Sequence, residues 1–301
     1  MTTRHAERLG RLGVWTWMDS LPAPQAAEFA RQVEAWGYSA LWMPEAVGRD
    51  PFALTAFLAA HTQRLVFATG IANIYARDAM AMRAAQQTVD ELAGGRFVLG
   101  LGVSHPFLVE GLRGHAYGRP IATMRAYLEA MAAATYQGPA PAAEVPIVIA
   151  ALRPRMLALA GERCAGAHPY NVTPEHTARA RAILGHGPTL APEQMVLRET
   201  DPARARAIAR QNLDLYMKSP NYLNNWKWLG FTDEDFAGGG SDRLIDSVVA
   251  WGDEQAIRAR VDAHFAAGAD HVCIQPLRAD GERGPDLRLL EALAPGAAGG
   301  G

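Results

Sequence analysis

The chain has 301 residues, with 29 lysines and arginines against 31 aspartates and glutamates, for a formal net charge of −2. That balance supplies no basic field able to gather nucleic acid or an anionic membrane surface. No apolar run approaches the roughly 20 residues that cross a bilayer, whereas the length suffices for a large buried core and points to a small-molecule enzyme.

Met1–Arg11 carries scattered charge and no apolar segment, so the reading expects neither a secretory signal nor an anchor, and a cytoplasmic protein. From there, short β-forming runs recur, each followed by a segment with apolar residues at helical spacing. Leu12–Trp17 precedes a predicted helix over Pro24–Trp36, Ala40–Met43 precedes Phe52–His61, and Leu65–Ile71 precedes Ala79–Leu92. Phe97–Gly102 precedes Met124–Tyr136, and Val145–Ala150 precedes Pro154–Glu162. Gly166–His168 and Met195–Glu199 are weaker strands, and His271–Gln275 is the last.

Eight such units predict an α/β fold, a (β/α)8 TIM barrel, in one domain over residues 1–294. An open doubly wound sheet is the alternative if the sixth and seventh strands are loops. About 70 residues separate the last two strands, too many for a structureless loop, so a helical insertion over about 200–250 is expected to cover one mouth. The tail 295–301, Pro-Gly-Ala-Ala-Gly-Gly-Gly, has little apolar side chain to order it.

Barrel chemistry sits where strands end and βα loops begin. Those points hold Trp15, Trp17, Glu45, Gly70, Ile71, Asn73, Gly102, Ser104, His105, Ala151, Leu152, Arg153, His168, Tyr170 and Gln275. Small residues, aromatics and a few polar groups suit a flat, partly apolar ring system. Trp15 and Trp17 share a strand face and could wall such a ring. Glu45 and His105 are the candidate catalytic groups, and His168 is a further acid–base candidate beside the ring. Ala151-Leu-Arg-Pro-Arg155 opens a helix whose free N–H groups suit a phosphate.

Other chemistries find little support. Gly100-Leu-Gly102-Val-Ser-His105 lacks the third glycine of a dinucleotide fingerprint. No His-x-x-x-His or His/Cys cluster suggests a metal, and Cys164 and Cys273 form no Cys-x-x-Cys pair. No Gly-x-Ser-x-Gly elbow or P-loop occurs.

Four segments resemble the luciferase-like flavin and F420-dependent oxidoreductases: Ala40-Leu-Trp-Met-Pro-Glu45, Ala68-Thr-Gly-Ile-Ala-Asn73, Gly94-Gly-Arg-Phe-Val-Leu-Gly-Leu-Gly102 and Ala266-Ala-Gly-Ala-Asp-His-Val272. Gly48-Arg-Asp-Pro51, Arg113-Gly-His-Ala-Tyr-Gly118, Ala167-His-Pro-Tyr170 and Leu190-Ala-Pro-Glu-Gln194 resemble an actinobacterial F420-dependent branch.

The resemblance implies coenzyme F420 as cofactor, with FMN as the alternative, and an oxidoreductase acting on a small molecule as a homodimer. It implies that a bulge at Gly70 and Ile71, often holding a non-prolyl cis peptide in the family, backs the cofactor ring. By the same resemblance Trp15, Asn73, Gly102, Ser104 and His168 lie around that ring, and Ala151, Leu152 and Arg153 meet its phosphate. Two departures bear on substrate chemistry: Ala46 stands where related F420 enzymes carry His after the acidic residue, and Val103 where some carry Glu. An FMN monooxygenase and a non-catalytic ligand-binding barrel are the competing readings.

Overall fold

The computed structural model describes residues 8–282 and 284–295. Its strands are β1 Leu12–Trp15, β2 Ala40–Met43, β3 Val66–Thr69, β4 Ala72–Asn73, β5 Phe97–Gly102, β6 Ile147–Ile149, β7 Gly166–Ala167, β8 Thr189–Leu190, β9 Glu193–Arg198, β10 Ala250–Gly252 and β11 Val272–Leu277. All their pairings are parallel.

The sheet runs β9-β11-β1-β2-β3-β5-β6-β7-β8. Because β8 and β9 are consecutive pieces of one kinked strand, this order closes on itself. Ala191 N donates to Ala167 O at 2.9 Å on one side, while Cys273 N donates to Pro192 O at 3.1 Å on the other. Pro192 has no N–H to give a ladder, which explains the break in the strand. The fold is therefore the expected α/β barrel, whose eighth member is β11.

Each crossover helix is started by its own sequence. Asp50, Asp78, Thr173, Asp201, Ser241, Asp253 and Asp286 cap helix N-termini through side-chain oxygens. Replacing such a cap by Ala removes about 1 kcal/mol. Proline opens Pro51–Ala59, Pro120–Ala133, Pro154–Arg163, Pro174–Leu184, Pro202–Met217 and Pro220–Trp228, where its missing N–H is harmless.

Side-chain alternation then sorts the strands. Trp15, Ala40, Trp42, Val66, Ala68, Val98, Val148, Ala191 and Cys273 fill the barrel interior as one cluster. Their strand neighbours Val14, Leu41, Phe67, Phe97, Leu99, Ile149 and Ile274 pack outward under the helices.

The seventh strand was expected from Met195; it begins at Thr189, because the Ala191-Pro192 kink interrupts the apolar run. The insertion carries the expected helices, Pro202–Met217, Pro220–Trp228, Asp233–Phe236 and Asp242–Val248. It also carries β10, which pairs with the end of β9 and which three residues of sequence do not announce. A π-helical turn, Phe107–Leu112, follows β5. The tail read over 295–301 lies outside the described residues beyond Pro295.

Candidate active site at the barrel mouth

The third strand does not end in an ordinary turn. After Thr69 the Gly70–Ile71 peptide is cis, and the chain then rejoins the sheet as β4 beside β5. Gly70 N donates to Met43 O at 2.8 Å, and the Ile71 carbonyl accepts from Glu45 N at 3.1 Å, so β2 holds this bulge from one side. From within the barrel, Trp15 Nε1 donates to Gly70 O at 2.9 Å. A Cβ on residue 70 would lie 2.6 Å from that indole nitrogen and 3.1 Å from His168 Nε2. Only glycine fits.

Trp15 and His168 therefore stand beneath the bulge, in the barrel interior, with 2% and 1% exposure. The His168 ring stacks on Trp42 with 4.3 Å between centroids, and its Nδ1 pairs with Ala191 O at 2.7 Å. Burial pulls its pKa down to about 4, so it is neutral at neutral pH. The proton then sits on Nδ1 facing the carbonyl, which leaves Nε2 as an unpartnered acceptor. His168 thus supports the bulge from below, rather than facing the mouth as an acid.

Glu45 and Asn73 buttress the same bulge laterally. Glu45 Oε2 accepts from Asn73 N at 2.8 Å, and Oε1 meets Arg77 Nη1 at 2.7 Å. Arg77 also pairs with Asp50, the cap of the next helix. Asn73, buried, turns Oδ1 onto Tyr75 N at 2.9 Å. Both carboxylate oxygens of Glu45 are committed.

Above the bulge the half-buried Ile71 side chain leans on Gly102, where a Cβ would come within 2.5 Å of it. Ser104, at φ 57°, turns the chain out of β5, and its carbonyl accepts from Tyr117 Oη at 3.2 Å. His105 follows, stacked on Phe107 at 5.7 Å and facing Tyr222 of the insertion at 5.7 Å. Burial lowers its pKa, opposed by the hydrogen bond it donates to Asn221. Ala151 is buried, Leu152 is half-buried with its carbonyl on His176 Nε2 at 2.6 Å, and Arg153 and Arg155 are exposed at the start of Pro154–Arg163.

The structure thus brings Trp15, Glu45, Gly70, Ile71, Asn73, Gly102 and His168 into one bonded or touching assembly. Ser104 and His105 sit on the loop after β5, and Ala151, Leu152 and Arg153 on the loop after β6. Two surface hollows, one lined by Asp246, Trp251 and Arg260 and one by Glu34, Tyr38 and Arg64, hold none of these residues.

Several residues were not given roles from sequence. Trp15 packs on Tyr170 at 5.1 Å; the Tyr170 hydroxyl donates to Gln275 Oε1 at 2.8 Å and meets Tyr216 Oη at 2.9 Å. With its one proton given to Gln275, Tyr170 must receive from Tyr216. Glu193, fully buried at the start of β9, has Oε2 on Asn171 N at 3.1 Å and Oε1 unpartnered. An acidic residue at the buried start of a strand, directly after Pro192, was the available signal.

The luciferase-like monooxygenase family profile matches residues 3–271. A Mycobacterium tuberculosis protein, provisionally named a coenzyme F420-dependent oxidoreductase, is 27% identical over 86% of this chain and 91% of its own. The F420-dependent tetrahydromethanopterin reductase of Methanopyrus kandleri superposes with a TM-score of 0.75 over 95% of this chain and 97% of its own, at 17% identity. The FMN-bound oxygenating constituent of 3,6-diketocamphane monooxygenase from Pseudomonas putida does so with a TM-score of 0.69 over 96% and 98%, at 14% identity. The chain belongs to the luciferase-like monooxygenase family.

Proposed function

We propose that the chain is an F420-dependent oxidoreductase that moves hydride between the deazaflavin and a small organic substrate. The observation that carries this reading is the glycine-only bulge at Gly70–Ile71, fastened from below by Trp15 and from the side by Glu45 and Met43. Its upper surface presents Ile71 against Gly102 with the Ser104 turn beside it, an aliphatic side chain and a glycine on which a tricyclic ring would rest. Fixed support of this kind is what a protein contributes to a cofactor reaction.

Arg153 and Arg155 flank the first turn of Pro154–Arg163, whose free N–H groups and dipole favour an anion, and neither makes an ion pair among the described residues. They fit a phosphate and the acidic tail of F420. The bound deazaflavin would supply a two-electron hydride carrier. The chain's own residues orient it, shield one face and exclude water. Glu45, with both oxygens engaged, acts as a positioning residue. Two of the relatives described above are named for F420, which favours it over FMN.

Titrating purified protein with F420 and, separately, FMN while following ring absorbance tests the reading. Saturable F420 binding is expected; tight FMN binding without F420 binding would overturn it in favour of a flavin monooxygenase. We further propose that residues 1–294 act as one unit, cytoplasmic and homodimeric. Sedimentation showing only monomer at micromolar concentration would remove the dimer.

A further inference from the structure

Hydride transfer to a carbon leaves its neighbour in need of a proton. Few groups near the bulge can give one. Glu45 is paired to Arg77, His168 carries its proton on the side facing Ala191 O, and the Tyr170 proton is held by Gln275.

Glu193 differs. Its side chain is fully buried, and among the described residues no ion pair compensates it and only the Asn171 N–H reaches it. A carboxylate cannot be left so at neutral pH. Burial accordingly pushes its pKa to about 8, so it stands as a neutral acid with a free Oε1. The groups within electrostatic reach are the Tyr170, Tyr216 and Tyr222 phenols and the Cys273 thiol, all uncharged there.

Two carboxamides are buried without partners, and the first adjoins it. Asn171, at φ 56°, and Asn225, within Pro220–Trp228, are both buried, each with Oδ1 and Nδ2 unpartnered. Tyr222, Asn225 and Trp226 form the buried face of Pro220–Trp228. Tyr222 packs toward Tyr170 at 6.3 Å, and Trp226 Nε1 donates to Asn171 O at 3.2 Å. Asn225 lies on the same buried face, one residue before the Trp226 that bonds Asn171. Five unpartnered polar atoms thus stand on the segments that meet where Pro220–Trp228 packs on Asn171, and buried polar groups of this kind are satisfied by internal water, which needs two to four such partners.

We propose that Glu193, Asn171 and Asn225 form an internal proton-holding site, bridged by water, that exchanges with the barrel mouth beside Tyr222 and His105. The role in turnover rests on the F420 reading. There, the bound carrier would supply hydride, one hydrogen with both electrons, to a substrate carbon. The neighbouring substrate atom takes a proton from the bridging water, and that water takes the Glu193 proton. The substrate would thereby gain two electrons and two hydrogens, hydride from the oxidised carrier and a proton by way of Glu193, which recovers its own from solvent.

Infrared spectra of the full chain test the site without any cofactor. A protonated-carboxyl stretch should be present at neutral pH, fade as pH rises through about 8, and be absent from Glu193→Gln. Should that variant not fold, Glu193→Asp should move the band instead. In D2O the band should shift, and Asn225→Leu should slow that shift without lowering the melting temperature. An ionised Glu193 at neutral pH, or equal exchange in wild type and Asn225→Leu, overturns the proposal. Loss of F420 binding with the band intact would instead count against the functional reading alone.

Discussion

Gly70→Ala puts the most direct strain on the bulge. The added Cβ would stand 2.6 Å from Trp15 Nε1, 2.9 Å from its Cδ1 and 3.1 Å from His168 Nε2. These are ring atoms, not flexible ends. Trp15 lies between Trp17 at 5.5 Å and Tyr170 at 5.1 Å, and His168 is stacked on Trp42. Either the rings stay and the bulge lifts, or Trp15 shifts and the 2.9 Å bond to Gly70 O is lost. Overpacking a filled core costs about 1–3 kcal/mol, and orphaning a buried acceptor also costs about 1–3 kcal/mol. The two are alternatives, so the loss in urea denaturation should be about 1–3 kcal/mol rather than their sum. If the bulge lifts, F420 binding should weaken about tenfold, the equivalent of ~1.4 kcal/mol. A Gly70→Ala protein with unchanged stability and F420 affinity would refute the packing argument.

Other outcomes follow from the same contacts. Trp15→Phe keeps the ring but removes the donor, so it should lose about 1–3 kcal/mol by urea denaturation; double-mutant analysis with Gly70→Ala should show the two changes coupled. Glu45→Gln weakens the Arg77 pair, and thermal melts should show a larger loss than those of Arg153→Ala, whose side chain is exposed. Arg153→Ala should instead weaken F420 binding several-fold, more at low salt than at high, with the melting temperature unchanged. Stability against pH has two opposed limbs. His168, His176, His264 and His271 are held down to about 4, 4, 3 and 4 by burial, so their contribution is lost as pH falls below the ordinary histidine range. Glu193 is raised to about 8, so its contribution is present below the ordinary carboxylate range and is lost as pH rises to about 8. Glu193→Gln should therefore move the pH of maximum stability upward in chemical denaturation series; an unchanged optimum would contradict the assignment.

The barrel was legible because its strands alternate with helices whose caps and prolines are local signals. The seventh strand was read short because Pro192 breaks the ladder, and β10 was missed because Ala250–Gly252 is set by pairing with β9, not by its own pattern. The bulge was legible at Gly70 and Ile71 through resemblance. What sequence could not give was depth. Trp15 and His168 fall at strand ends like Trp17, yet only coordinates separate a ring beneath the bulge from one at the rim. Glu193, Asn171 and Asn225 come from three distant segments, and their shared lack of partners exists only once the insertion packs on the barrel.

A crystal structure of the protein grown with F420 tests the central claim most directly. The tricycle should rest on Gly70–Ile71 beside Gly102, with the phosphate at the start of Pro154–Arg163 and next to Arg153. Density for the ring anywhere else on the molecule, or a phosphate away from that helix, would contradict it.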